Sequence, residues 1–188
     1  MSKRFPIPAF SYEQFKNMEW AAPVLLSAQE QARLIAAARA GAADAYGCYA
    51  VDAPEAFYDR FKLRGAHRHV RMCLLPAGEV ALVGRSHAWA VQQALLVDSL
   101  DAAGCSVLHE WTTPRPMNTR LGPDLGVTLP GGVVYAVCSH RYADHWIVNR
   151  TLTAPAQGTD RNGYDLLSAS DDDVNDFHAC NLSFRWPR

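Results

Sequence analysis

Residues 132–150 restrict the fold more tightly than any other stretch of this chain. Two runs rich in β-branched and aromatic residues, 133–139 and 146–153, flank a short polar segment, the pattern of a β-hairpin. A loop of two residues at 142–143, or of four at 141–144, sets His140 directly opposite His145. Directly opposed strand residues share a face, with Cβ atoms roughly 4.5–5.5 Å apart. Alternation then places Ala136, Cys138, His140, His145, Ile147 and Asn149 on one face, and Tyr135, Val137, Ser139, Trp146, Val148 and Arg150 on the other. The second set carries the larger apolar side chains and is expected to cover the core. A bulge or a three-residue loop would slip one strand against the other and undo this pairing.

The rest of the chain reads as helices followed by strands. Pro6, Pro8 and Pro23 keep residues 1–26 extended or irregular. Ser27-Ala-Gln-Glu30 is a capping box that opens a helix running through Ala42. Asp52-Ala-Pro-Glu55 starts a second helix, which ends near Gly65. Residues 69–75 and 79–83 form a hairpin around Pro76-Ala-Gly78. Ser86 then caps a third helix, with Val91, Leu95, Leu96 and Leu100 on its apolar stripe and Gly104 as its stop. A strand covers 105–111. Pro114, Pro116, Pro123 and Pro130 make 112–131 a long ordered loop, a length that usually serves function. After the 132–153 hairpin, a polar loop at 154–174 leads to a last strand at 176–186. The expected fold is α+β: one domain, 1–188, with a mostly antiparallel sheet of five to seven strands and about three helices packed on it.

At 188 residues, 49% hydrophobic and 20% charged, the chain can bury about 70% of its unfolded surface without metal or disulfide support. A net charge of −1 supplies no global attraction to nucleic acid or membranes. No window approaches the ~18–20 apolar residues of a membrane span, and residues 1–8 lack the apolar run of a secretory signal. The five cysteines, Cys48, Cys73, Cys105, Cys138 and Cys180, are irregularly spaced with no CxxC. Reduced thiols in a cytoplasmic protein are the expected reading, several of them packed as small apolar groups.

Candidate chemistry gathers at the hairpin. Cys138 beside His140 or His145 would form a nucleophile–base pair, with Asn149 or Asp144 orienting the imidazole. That constellation predicts a small hydrolytic or lytic enzyme. A metal site is a second reading: His67-x-His69 directs two imidazoles to one face, and with His109, His140 and His145 it would suit zinc or another transition metal. Tyr142, His109 and Arg120 are candidate ligand contacts, the last inside the proline-rich loop that would cover a substrate. A third reading is RNA binding or cleavage, through Arg64, His67, Arg68, His69, Arg71, the histidine pair and Tyr142. The non-catalytic alternative is an assembly or interaction protein, such as a phage or multi-subunit component, meeting a protein partner or copies of itself. Asp171-Asp-Asp173 lacks the spaced ligands and glycine of an EF-hand and reads as a solvated loop.

Overall fold

Residues 24–65, 70–86, 88, 90–113, 127–155, 161–169 and 179–187 are described by the computed structural model, and most of them lie in strands. The α+β expectation is corrected: the described residues form a mostly β, ten-stranded sheet, with two α-helices beside it. The sheet is mixed because one short pair is parallel, while the others run antiparallel. Residues 1–23 and 114–126, which hold most of the expected N-terminal segment and proline-rich loop, lie outside the described residues.

Helix α1, Ala28–Arg39, begins where its capping box predicts. The Ser27 hydroxyl accepts from the Glu30 backbone N–H at 3.2 Å, and the Glu30 carboxylate accepts from the Ser27 backbone N–H at 3.0 Å. Two orphan donors of the first turn are thereby satisfied. After strand β1, Gly47–Val51, comes helix α2, Glu55–Arg60, which buries Phe57 and Tyr58. It ends earlier than expected: Lys62 turns the chain at φ +54°, and Leu63–Arg64 become a short strand, β2.

The third helix is corrected to a strand. Residues 92–97 form β4, Gln92–Val97, paired with β5, Val107–Thr112, on one side and with β6, Val127–Tyr142, on the other. Both faces of β4 are covered: Ala94 and Leu96 enter one core cluster, Leu95 and Val97 a second. A strand buried on both faces shows a continuous apolar run, and such a run satisfies helical spacing equally well.

The expected hairpin at 69–83 is also corrected. Strand β3, Val70–Arg85, runs on through Pro76-Ala-Gly78 alongside β6. Leu75 pairs with Gly132 and Glu79 with Pro130, so 76–78 bulge opposite Gly131. Glycine is required there, because a Cβ on residue 131 would stand 1.9 Å from the Pro76 carbonyl oxygen. Residues 127–131, expected in the loop, are therefore the first part of β6.

Four further strands complete the sheet: β7 (His145–Val148), β8 (Arg150–Pro155), β9 (Arg161–Ala169) and β10 (Asn181–Pro187). The polar loop expected at 154–174 instead holds the end of β8 and all of β9, which pair antiparallel. Along one edge β3 pairs first with β1, at 70–74, and then with β10, at 81–85. The bulge lies between these two partners, and β9 flanks β10 on its outer side. No helix among the described residues is long and apolar enough to cross a membrane.

Candidate functional site

The β6–β7 hairpin closes on Ala143-Asp144, so Tyr142 pairs with His145 and His140 with Ile147. The expected direct opposition of His140 and His145 is corrected. The slip leaves parity intact, however, and His140, Tyr142, His145 and Ile147 share a face. The Tyr142 and His145 rings meet edge to face at 5.8 Å, and His145 Nδ1 pairs with the Asp144 carboxylate at 3.2 Å. That hydrogen bond, with the imidazole beside it, holds Asp144 below its ordinary carboxylate value. Tyr142 is exposed at the tip.

His140 belongs to a buried polar chain whose hydrogens can be traced. Gln92 Nε2 donates to the Ala90 carbonyl at 3.2 Å, which leaves Gln92 Oε1 to accept from Asn149 Nδ2 at 3.0 Å. The Ser168 hydroxyl donates to the Cys180 carbonyl at 2.6 Å, so its oxygen also accepts from Asn149 Nδ2, at 3.2 Å. Both amide hydrogens of Asn149 are thus committed inward, and its Oδ1 faces His140 Nδ1 at 2.7 Å. An amide oxygen only accepts, so Nδ1 carries the hydrogen, and in the neutral ring Nε2 presents a lone pair. Asn149 does orient an imidazole, but it ties His140 to the core and not to a thiol.

Cys138 is fully buried in the first core cluster, with Cys180 as its thiol neighbour. No reagent reaches such a sulfur without local unfolding, and a buried thiol behaves as a small apolar group. The hydrolytic or lytic reading, and with it the hydrolase label, is corrected on this finding. The opposite face also differs in degree from expectation, since Val137 and Val148 on one side and Ala136 and Cys138 on the other are all core residues.

His109, on β5, stacks on Trp111 at 5.4 Å with the ring planes nearly parallel, and partial burial lowers its pKa. His67, His69 and Arg120 lie outside the described residues. Among the described residues no group of three or more His, Cys, Asp or Glu side chains converges on a metal position. Arg71, named among the candidate RNA contacts, is buried. Its Nε donates to Thr151 Oγ1 at 2.8 Å and its Nη2 to the Thr151 carbonyl at 2.7 Å. Arg64 pairs with Asp59 at 3.2 Å.

A cleft of about 500 Å³ opens elsewhere, where the partner of β3 changes from β1 to β10. Tyr46, Gly47, Cys48 and Tyr49 line it from β1 and the residue before it, Asn162, Gly163 and Tyr164 from β9, Thr153 and Ala154 from β8, and Trp186 from β10. Its aromatic rings brace one another: Trp186 meets Tyr46 at 5.9 Å and Tyr164 at 5.7 Å, both edge to face. The Tyr164 hydroxyl donates to the Leu74 carbonyl at 3.2 Å, and the Tyr49 hydroxyl to the Ala45 carbonyl at 2.9 Å. Burial pushes the Tyr164 phenol well above its ordinary value; burial and then the Asp44 charge raise that of Tyr49. Both stay neutral near pH 7. Gly163 is obligatory because a Cβ there would lie 1.9 Å from the Phe184 carbonyl oxygen, and its φ is +156°. None of these residues stands out as a site in the sequence. The signal available is the pairing of Tyr46-Gly-Cys-Tyr49 with Asn162-Gly163-Tyr164, two short aromatic segments each built around a glycine.

No protein-family model and no curated protein matches this chain. Solved structures similar to it include three lectins. One is the lectin CV2L of Chromobacterium violaceum in complex with α-methyl-fucoside: 13% identity, TM-score 0.48, covering 62% of this chain and 96% of that one. Another is the C-terminal domain of the BC2L-C lectin of Burkholderia cenocepacia: 15% identity, TM-score 0.49, 62% and 95%. The third is the high-affinity mannose-binding lectin of Ralstonia solanacearum: 17% identity, TM-score 0.48, 65% and 99%. Likeness of this degree assigns neither a fold family nor a ligand to the chain.

Proposed function

We propose that the cleft at the β1–β9–β10 junction binds a neutral, hydroxyl-rich ligand of the saccharide class. The observation that carries this reading is the cleft's wall: Tyr46, Tyr49, Tyr164 and Trp186 with Thr153 and Asn162, and no formally charged side chain among the described lining residues. A pyranose presents an apolar C–H face and a rim of hydroxyls. The face stacks on aromatic rings, which bury area at small cost in side-chain entropy. The rim needs a few placed donors and acceptors, and neutral amides and hydroxyls provide both. A phosphorylated or carboxylated ligand would ask for a cation that this wall lacks. At about 500 Å³ the cleft has the size of an ordinary small-ligand site.

Isothermal titration against a panel of neutral mono- and oligosaccharides tests the reading, with sugar phosphates as the charged comparison. Saturable binding of at least one neutral sugar is expected, weakened several-fold by Asn162→Ala, the loss of about 1 kcal/mol for one hydrogen bond. Asn162 is exposed, so the variant keeps its fold. Absence of neutral-sugar binding across the panel, or binding indifferent to Asn162→Ala and to Tyr49→Ala together, would remove the proposal.

A further inference from the structure

We propose that Cys48 and Cys73 are a reversible dithiol–disulfide site, oxidised by small-molecule disulfides that reach Cys48 through the cleft. The two residues are direct partners in the antiparallel β1–β3 register, and their sulfurs stand 2.9 Å apart. Directly opposed antiparallel residues have Cα atoms roughly 4.5–5.5 Å apart, inside the span a disulfide accepts. Forming the bond at about 2.05 Å asks the sulfurs to close by about 0.9 Å, a side-chain adjustment that leaves the strands in place.

Access separates this pair from the other thiols. Cys48 is half-buried and lines the cleft, whereas Cys73 is fully buried behind it. Cys138 and Cys180 also neighbour each other, yet both are fully buried and neither lines the cleft. Cys105 accepts from the Arg60 guanidinium at 3.0 Å, away from any other sulfur among the described contacts.

The chemistry balances with glutathione disulfide as oxidant. The Cys48 thiolate attacks one of its sulfurs, the glutathione S–S bond breaks, and the first glutathione leaves and takes up a proton. Cys73 then gives up its proton and attacks Cys48 Sγ, breaking the mixed disulfide and releasing the second glutathione. Two protein thiols are oxidised and one glutathione disulfide is reduced to two thiols. Burial, and then the hydrogen bond it donates to Cys48, holds the Cys73 proton tightly, so the second step is the slower one. The inference does not rest on saccharide binding, and a failure of that reading leaves it standing.

The test incubates the native full chain with glutathione disulfide, counts free thiols and maps linked peptides without reduction. The count is expected to fall from five thiols to three, with one linked pair, Cys48–Cys73, and dithiothreitol restoring all five. Cys73→Ser should instead accumulate glutathione on Cys48, while Cys48→Ser should leave Cys73 unmodified. Five thiols persisting in the wild type, or a linkage through Cys105, Cys138 or Cys180, would overturn the proposal. The wild-type map and Cys48→Ser decide between these outcomes even where Cys73→Ser fails to fold.

Discussion

Tyr164 donates its phenolic hydrogen to the Leu74 carbonyl, at 3.2 Å and across 90 positions of sequence. The bond ties β9 to β3 in the gap where β1 gives way to β10, and it fixes the ring that floors the cleft. Tyr164→Phe keeps the ring's contacts with Phe184 and Trp186 and removes only the donor. A loss of about 1 kcal/mol is expected, read as a lower urea midpoint at unchanged m-value. An unchanged midpoint would mean the bond contributes nothing net.

Alkaline pH should weaken the fold. Burial holds the Cys73 and Cys180 thiols and the Tyr164 phenol well above their ordinary values. Above the unfolded thiol value of about 8.5, the unfolded chain releases protons that the folded chain keeps. Fewer protons on the unfolded state means stability falls as pH rises, by up to about 1.4 kcal/mol per pH unit for each such thiol. Below that value the contribution is fully present. Urea midpoints compared at about pH 7.5 and about pH 9.5 should drop at the higher pH, with a smaller drop in Cys180→Ala. A flat profile would contradict the burial of these groups.

Asn149 is the hub of the His140 chain, and its replacement should register twice. Asn149→Ala strands Gln92 Oε1 and His140 Nδ1, at a cost of roughly 1–3 kcal/mol. It also frees His140 from its Nδ1–H tautomer, which imidazole nitrogen NMR shifts report directly. A stable variant with an unchanged tautomer would mean the orientation comes from elsewhere.

Ala143 is strained. It holds φ +55° at the first position of the two-residue β6–β7 loop, where a type II′ turn prefers glycine. Ala143→Gly should therefore stabilise the protein by on the order of 0.5 kcal/mol, since relief of the left-handed strain exceeds the added chain entropy. A raised thermal midpoint checks it; a lowered one would mean the loop has another geometry.

The legible parts of this fold are those encoded locally. The Ser27–Glu30 capping box and the face parity of 136–149 both follow from short-range chemistry, and parity survives because the hairpin slips one residue on each strand. The turn itself lies away from its expected position because Ala143-Asp144 carries no glycine or asparagine to mark it. Residues 92–97 mislead for the opposite reason: burial on both faces erases the alternation that distinguishes strand from helix. Pro76-Ala-Gly78 resembles a hairpin turn, and only its non-local pairing with β6 makes it a bulge. The cleft is illegible because Tyr46, Tyr164 and Trp186 meet only through sheet order, which no local pattern reports. Conversely, Cys138 and the histidines are conspicuous by residue type, while burial decides what they can do.

The most direct measurement is an amide NMR titration of the isotopically labelled protein with the best-binding neutral sugar from the panel. Saturable shifts are expected at Tyr46–Tyr49, Asn162–Tyr164 and the Trp186 indole N–H, with the His140–Asn149 hairpin unmoved. Shifts confined to the hairpin, or none at any residue of the cleft, would contradict the assignment of the cleft as the binding site.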